Sequence, residues 1–439
     1  ATIQEVIKRY SSFVRFNIKL NGKVANSLQA LWTKPKNEVT DAQHQEFYQF
    51  ISRSYDKPMF HLHFTADSPL SIQSIFYIPG QHSEKYGMGR MDPGVSLYSR
   101  RVMIQANAKG LLPEWLRFIK GVVDSDDIPL NLSRELLQDS AIIQKLNTVL
   151  TRRILKFLSD QALSDPDQYE KFFSEFGQFL KEGACTDAKW KEELGRLVRF
   201  DSSLLPAKKV CSLDDYISRM KPDQEEIYYL VVPSRNFAET SPYYEGFHQR
   251  GIEVLFLYTS LDDFMMGNLQ TYAGKRLTTI ESAEPKDDNK RDDTPDSEKE
   301  PTESADFGNW LQDVLDERVS QVKTSTRLVS SPAVIVDHES ASFRRMMTFV
   351  DPNRSPKLPK QIMEYNPKHP IIKQLHLTRS SNPELASLVA EQIFDDALIA
   401  AGLMEDPRVM IPRMNSLLEA ALRASNKVDA IDQERVDSE

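Results

Sequence analysis

Residues 281–306 read "ESAEPKDDNKRDDTPDSEKEPTESAD" and constrain the fold more than any other stretch of the chain. The segment has almost no apolar side chains and is dense in Asp, Glu, Lys and Pro. Such a composition cannot bury enough surface to offset the entropy lost on ordering. We read it as a disordered, charged linker, so the chain divides there into a long first region, 1–280, and a shorter second one, 307–427. The polar end, 428–439, is expected to be disordered as well. At ~150 residues per domain, 439 residues suffice for about three domains.

Two periodicities alternate in the first region. "FHLHFTA", "IQSIFYIPG" and "SLYSRRVMIQA" alternate with a period near two and are rich in aromatic and β-branched residues, which predicts strands. "DAQHQEFYQFISRSY", "PEWLRFIKGVV" and "SRELLQDSAIIQKLNTVLTRRILKFLSD" carry a helical pattern. In the last of these Leu136, Ile143, Leu146, Leu150 and Ile154 fall on one face, and Ser133 is the predicted N-cap. This large α/β part covers 1–160. Residues 161–205 read as a small helical insert, in which "DQYEKFFSEFGQFLKEG" ends at Gly183 as a C-cap. Residues 206–280 hold a second, smaller α/β unit: "IYYLVV" and "IEVLFLY" have the apolar character of buried parallel strands and flank a helix near 241–250. Beyond the linker come strand candidates "VSQVKTSTRL" and "PAVIVD", then two amphipathic helices, "PELASLVAEQIFDDALIAAGL" and "PRVMIPRMNSLLEAALRAS".

Several function classes are disfavoured. A net charge of −9 argues against non-specific nucleic-acid binding, which depends on neutralising phosphates. No apolar run approaches the ~20 residues of a membrane helix, so no membrane insertion is expected. Cys185 and Cys211 are too few and too far apart for a disulfide framework or a redox pair. The first residues lack a secretory pattern and begin within a helical period, which we read as the start of a piece of a longer chain. His61 and His63 share one face of a strand with no third ligand nearby in sequence, so a structural role is favoured and no metal is expected. "YIPGQHSEKYGMGRMDPG" matches neither the dinucleotide fingerprint nor the P-loop.

What remains is "DDIPLNLSRELLQ". Pro129 holds Ile128 extended, and the chain then turns into a helix at Ser133. Arg134 and Gln138 are four apart and share a face, and Asn131 lies just before them. Three polar groups able to hold an anion thus gather at a helix N-terminus, itself suited to anions. A surface pairing of Arg134 with Asp126, Asp127 or Glu135 is the alternative that spacing alone leaves open.

The stretch "LLPEWLRFIKGVVDSDDIPLNLSRELLQ" closely resembles the phrase that marks the middle domain of the ninety-kilodalton heat-shock chaperone family. "QALWTK", "EFYQFIS", "SLDDYISRM", "IYYLVV", "SPYYEGF", "IEVLFLY" and "NPKHPIIKQL" follow in family order, so the resemblance covers nearly the whole chain. "SLYSRRVMIQ" and "LIAAGLMEDPRVMIPRMNSLL" are most similar to the mitochondrial branch. The resemblance implies an α/β middle domain, an α-β-α sandwich with helical insert and second α/β unit, followed by an α+β C-terminal dimerisation domain. It implies an ATP-driven homodimeric chaperone of the mitochondrial matrix that handles client proteins. By motif, Arg134 resembles the arginine that contacts the γ-phosphate, with Asn131 and Gln138 in support. The nucleotide, its magnesium and the general base would belong to a preceding N-terminal nucleotide-binding domain, a partner of this chain. The chain would therefore carry no cofactor and would not hydrolyse ATP alone. Trp32 resembles an exposed tryptophan implicated in client contact; the alternative is a core residue. "SASFRRMMTFV" sits where the family has a client-facing segment, with Phe343, Met346, Met347 and Phe349 as adaptable apolar surface. The closing helices would pair with their symmetry mates through Leu388, Val389, Ile393, Phe394, Leu398, Met414, Leu417, Leu418 and Leu422. The ending "VDSE" departs from the Met-Glu-Glu-Val-Asp tail of cytosolic relatives, so co-chaperones that dock on that tail are not expected. A scaffold with no nucleotide role, or a DNA-directed ATPase of the same α/β type, are the rival readings; the latter brings a lysine to the phosphate.

Overall fold

The run expected to be a helix, "PEWLRFIKGVV", is the strand on which the first sheet is built. One turn of 3-10 helix, Glu114–Leu116, leads directly into a strand at Lys120–Asp124. The computed structural model describes residues 12–14, 16–24, 29–87, 89–128, 141–283, 302–340, 358–404 and 406–436, with Ile7, Arg344 and Met347. The chain divides into two units, Ala1–Arg199 and Phe200–Glu439.

In the first unit α1 (Asp41–Ser52) precedes β1 (Phe60–Ala66), β2 (Ile72–Ile78), β3 (Gly94–Ser99), β4 (Val102–Gln105) and β5 (Lys120–Asp124). The sheet order is β1-β2-β5-β3-β4, with β5 antiparallel to β2 and parallel to β3. A central strand covered on both faces needs apolar residues on both, so its sequence loses the alternation that betrays a strand and resembles a buried helix. Gly121 suits this position because a Cβ there would lie 2.4 Å from the Ile75 carbonyl.

Helices cover both faces. On one, α1 is held by a reciprocal Thr40–Gln43 cap and contributes Phe47 and Tyr48 to a cluster with Trp32, Ile75, Tyr77, Tyr98 and Val122. On the other lie α2 (Ala141–Ser164), α3 (Pro166–Thr186) and α4 (Lys191–Leu197). Phe118 stacks on Phe176 at 4.7 Å between ring centroids, and Phe60 meets Phe172 at 5.9 Å. Gly183 does not end α3; the helix runs on to Thr186. A Cβ at Gly183 would lie 2.7 Å from Trp115 Cδ2, so the glycine is there to admit the indole. The expected start of α2 at Ser133 lies outside the described residues.

The second unit opens with β6 (Phe200–Ser202), β7 (Val210–Cys211), α5 (Leu213–Arg219) and β8 (Glu226–Val231). There follow α6 (Arg235–Glu239), α7 (Pro242–Gln249), β9 (Leu255–Leu257), α8 (Ser260–Leu269), β10 (Thr271–Tyr272) and β11 (Lys275–Thr279). These strands form one sheet in the order β10-β11-β8-β9-β6-β7. β8 and β9 are parallel, with α6 and α7 on the crossover between them. Beyond 301 come α9 (Thr302–Leu315), β12 (Val319–Thr324), β13 (Ala333–Val336), β14 (Gln361–Tyr365), α10 (Pro370–Ser381), α11 (Pro383–Ala400) and α12 (Ile411–Val436). The second sheet is β12-β14-β13.

One core joins the residues on both sides of the charged segment. Tyr228, Phe247 and Phe256 cluster with Phe307, Leu311, Ile335, Met363 and Phe394. Tyr243 Oη donates to the Ile335 carbonyl at 2.5 Å, and the Glu245 carboxylate accepts the N–H groups of Val329 and Ser330 at 2.8 and 2.9 Å. The ends of 281–306 belong to this structure: Ala283 is buried and α9 already begins at Thr302. Residues 284–301 lie outside the described residues. The expected disordered tail is corrected in part, because α12 runs to Val436; no Gly or Pro follows Pro412 to stop it. No helix among the described residues is long and apolar enough to cross a membrane.

Candidate functional site

Arg134, Asn131 and Gln138 lie outside the described residues, as does Ser133. The structure shows the frame that delivers the chain to them. β5 is the central strand, and the segment leaves from its carboxyl end, the edge at which open α/β sheets carry their ligand chemistry. Its exit is pinned at successive residues. Ser125 N–H donates to the Tyr98 carbonyl at 3.1 Å, and Ser99 Oγ donates to the Ile128 carbonyl at 2.7 Å. Asp127 accepts the Ser71 N–H at 2.8 Å, so this carboxylate, one expected surface partner of Arg134, has a structural task.

Asp124, the last residue of β5, is buried at 5% exposure. One carboxylate oxygen, Oδ2, accepts both the Trp32 Nε1–H at 3.0 Å and the Arg101 N–H at 2.9 Å. Burial pushes its pKa up, and those two hydrogen bonds pull it down again without restoring the ordinary value. Oδ1 has no hydrogen-bond partner among the described residues.

Trp32 is fully buried, so the exposure implied by the resemblance is corrected. Its ring lies 4.8 Å from Phe13 and 5.2 Å from Tyr98, and its only polar atom is used by Asp124. An aromatic whose N–H finds an interior acceptor has no reason to stay in water. The backbone carbonyl of Trp32 is 3.2 Å from His63 Nε2. His63 and His61, on the same face of β1, meet His44 of α1: the His44 and His61 rings stack at 3.9 Å, and His44 Nδ1 is 3.0 Å from the Tyr77 hydroxyl. Burial, then the neighbouring His61 and His63, push His44 down to about 4; burial also lowers His61 and His63. Among the described residues no group of three or more His, Cys, Asp or Glu can hold a metal ion.

The remaining expected residues fall into three sets. Met347 is half-buried, whereas Phe343, Met346 and Phe349 lie outside the described residues. In α11, Ile393, Phe394 and Leu398 are corrected from seam to core: each is at most 5% exposed within the single chain, while Leu388 and Val389 are half-buried. In α12, Met414, Leu418 and Leu422 are exposed at 46, 60 and 68%, and Leu417 is half-buried.

The second unit also holds a cavity of about 470 Å3 lined by Phe237, Tyr258, Asp263, Glu281, Ser340 and Ile399 among others. Burial, then the nearby Asp263, push Glu281 up to about 8. Glu281 is the first residue of the supposed linker, and its place here shows that the sequence boundary falls too early.

The family model described as Hsp90 protein matches residues 20–439, and the chain belongs to that family. Its relatives include the "TNF receptor-associated protein 1 homolog, mitochondrial" of Dictyostelium discoideum, 50% identical over 96% of this chain and 60% of that protein. The "Chaperone protein HtpG" of Desulfitobacterium hafniense is 44% identical over 96% of this chain and 69% of its own length. The "Heat shock protein 75 kDa, mitochondrial" of Rattus norvegicus is 42% identical over 96% of this chain and 61% of its own. The chain thus spans about three fifths of the first of these relatives.

Sequence reasoning missed Asp124 and the Arg100–Arg101 turn that it holds. Both central residues of this two-residue connection between β3 and β4 have positive φ, 49° and 67°. Hairpin turns of that kind ordinarily use Asn-Gly or Asp-Gly, so "RR" gives no hint of one. The only available signal was an aspartate ending an apolar strand run.

Proposed function

We propose that the chain is the middle and C-terminal part of an ATP-dependent molecular chaperone of the mitochondrial kind. Arg134 reaches the γ-phosphate of an ATP held, with its magnesium, by an N-terminal domain of the longer protein, and Asn131 and Gln138 support it. Its chemistry is electrostatic: a guanidinium placed where charge builds up on the transferred phosphoryl group. The observation that carries this reading is the position of "PLNLSRELLQ" directly after the carboxyl end of the central strand, behind an exit fixed by four hydrogen bonds to Asp124, Ser125, Asp127 and Ile128. A frame of that kind suits a residue that must arrive at a fixed point. The names of the relatives above, chaperones and two of them mitochondrial, agree with it.

In the full-length protein, Arg134→Ala is expected to lower ATP turnover by roughly 10²-fold or more while leaving nucleotide affinity unchanged. Turnover at the wild-type rate would favour a dimeric scaffold with no nucleotide role. The homodimer is the second part of the proposal, supported by the exposed Met414, Leu418 and Leu422 at four-residue spacing on α12. Light scattering on this chain should give twice its mass, and replacing the exposed Leu418 and Leu422 by Glu should give a monomer. Client proteins are expected to use the apolar residues of 343–349, with Met347 as their described member.

A further inference from the structure

A lysine ordinarily buries its stem and sends its ammonium out to water, because an unpaired charge is costly to hold inside. Lys120, the first residue of the central strand β5, does otherwise. It is half-buried between its cross-strand partners, Tyr77 of β2 and Gly94 of β3. Its side chain folds back over Gly94: a Cβ on that glycine would collide with Lys120 Cδ and lie 2.8 Å from Nζ. A residue without a side chain is what leaves this seat open. The amine makes no hydrogen bond and no ion pair among the described residues. The neighbouring Tyr77 hydroxyl is engaged with His44 Nδ1, at 3.0 Å. The charge that acts on the amine is Asp92, two residues before Gly94, which is felt through space without forming an ion pair. Other lysines of this unit are held as ammonium ions: Lys85 meets Glu175 at 2.6 Å and Lys156 meets Asp160 at 3.2 Å.

An ammonium that is half-buried and unpaired loses hydration and gains little in return, so the neutral amine is favoured. Burial accordingly lowers the Lys120 pKa from the ordinary lysine value, and Asp92 offsets this only in part. A neutral amine is a nucleophile, and an amine folded onto a glycine seat is a placed one. We propose that Lys120 is a covalent modification site, acylated by short-chain acyl thioesters. The amine lone pair attacks the thioester carbonyl carbon, a C–N bond forms and the C–S bond breaks. The thiolate leaves with the bonding pair, and the proton displaced from nitrogen passes to water. The product is a neutral amide, so the modification removes a charge that the fold holds at a cost.

The test uses the folded chain, incubated with acetyl-coenzyme A over a series of pH values and read lysine by lysine by peptide mass spectrometry. At pH 7 Lys120 should be acetylated roughly three-fold or more faster than the exposed Lys57 and Lys145, and its rate should level off at a lower pH than theirs. Asp92→Asn removes the charge that favours the ammonium, so it should raise the Lys120 rate at pH 7 further and leave Lys57 and Lys145 unchanged. Lys120→Met keeps an unbranched stem and removes the charge, so it should abolish the mark and raise Tm. Lys120 reacting no faster than the two exposed lysines, a rate that levels off together with theirs, or a Tm lowered by Lys120→Met would each overturn the proposal.

Discussion

The two faces of the five-stranded sheet are held by different physics. Toward α3 the sheet is packed by rings: Phe60, Phe118, Phe172, Phe176 and Phe179 are buried and meet one another at 4.7 to 6.2 Å. Its main charged group, Arg117, sits over Phe179 and is tied to Glu84 and Glu182, while His82 is the one buried imidazole against these rings. Toward α1 the sheet carries rings as well, but most bear polar atoms: Trp32 bonds Asp124, Tyr77 meets His44, Tyr48 donates to Asp56 and His63 meets Trp32. An apolar face derives its stability from area and shape. A polar buried face adds geometric definition, because every atom has one acceptable partner, and it becomes sensitive to protons. The face that must hold the strand exit in place is the polar one.

Four substitutions or conditions separate the two faces. The largest expected effect is Phe176→Ala, which removes a side chain with no exposure and should cost about 3–5 kcal/mol in denaturant unfolding at pH 7. A cost below ~1 kcal/mol would mean the ring face is not the main packing surface. Next is acid. The folded pKa of His44 is depressed to about 4, so the unfolded chain takes up this proton first. The contribution is fully present above the unfolded value of 6.5 and is lost as pH falls from there toward 4. Between pH 7 and pH 4.5 the wild type should lose about 2 kcal/mol more stability than His44→Gln does. Parallel pH profiles would sink the contrast between the faces. Gly183→Ala follows: with Trp115 Cδ2 at 2.7 Å from the new Cβ, overpacking should cost about 1–3 kcal/mol, seen as a lower Tm. The smallest is Tyr77→Phe, which deletes the hydroxyl beside His44 and should cost about 0.5–1.5 kcal/mol. It should also shift the His44 titration when followed by NMR.

Much of this was readable in residue patterns, and the failures have physical causes. β1 has faces of different character, and β2, though buried on nearly its whole length, was still legible from its aromatic and β-branched residues. β5 does not alternate because both its faces are buried, and a helix was expected in its place. Gly183 was taken for a helix end, since a glycine admitted for the bulk of Trp115 looks no different in sequence from one at a cap. The charged segment was bounded too widely because composition marks where a core is absent, whereas Ala283 and α9 are recruited by a core elsewhere in the chain. For the site, "PLNLSRELLQ" stood out by its pairing of Arg134, Asn131 and Gln138, but nothing in the sequence pointed to Asp124.

The chain by itself determined family membership, the α/β character of its first part and the pairing of β8 with β9 through a helical crossover. These follow from local composition and period, which act over a few residues. Only the tertiary structure decided that Trp32 is interior, that Ile393, Phe394 and Leu398 serve the chain's own core, and that His44, His61 and His63 share one buried contact. Each of those depends on what a distant segment brings to the other side of the side chain. Burial and hydrogen-bond partnership are properties of pairs of surfaces, and Asp124 acquires its role only when Trp32 and Arg101 arrive at the same oxygen.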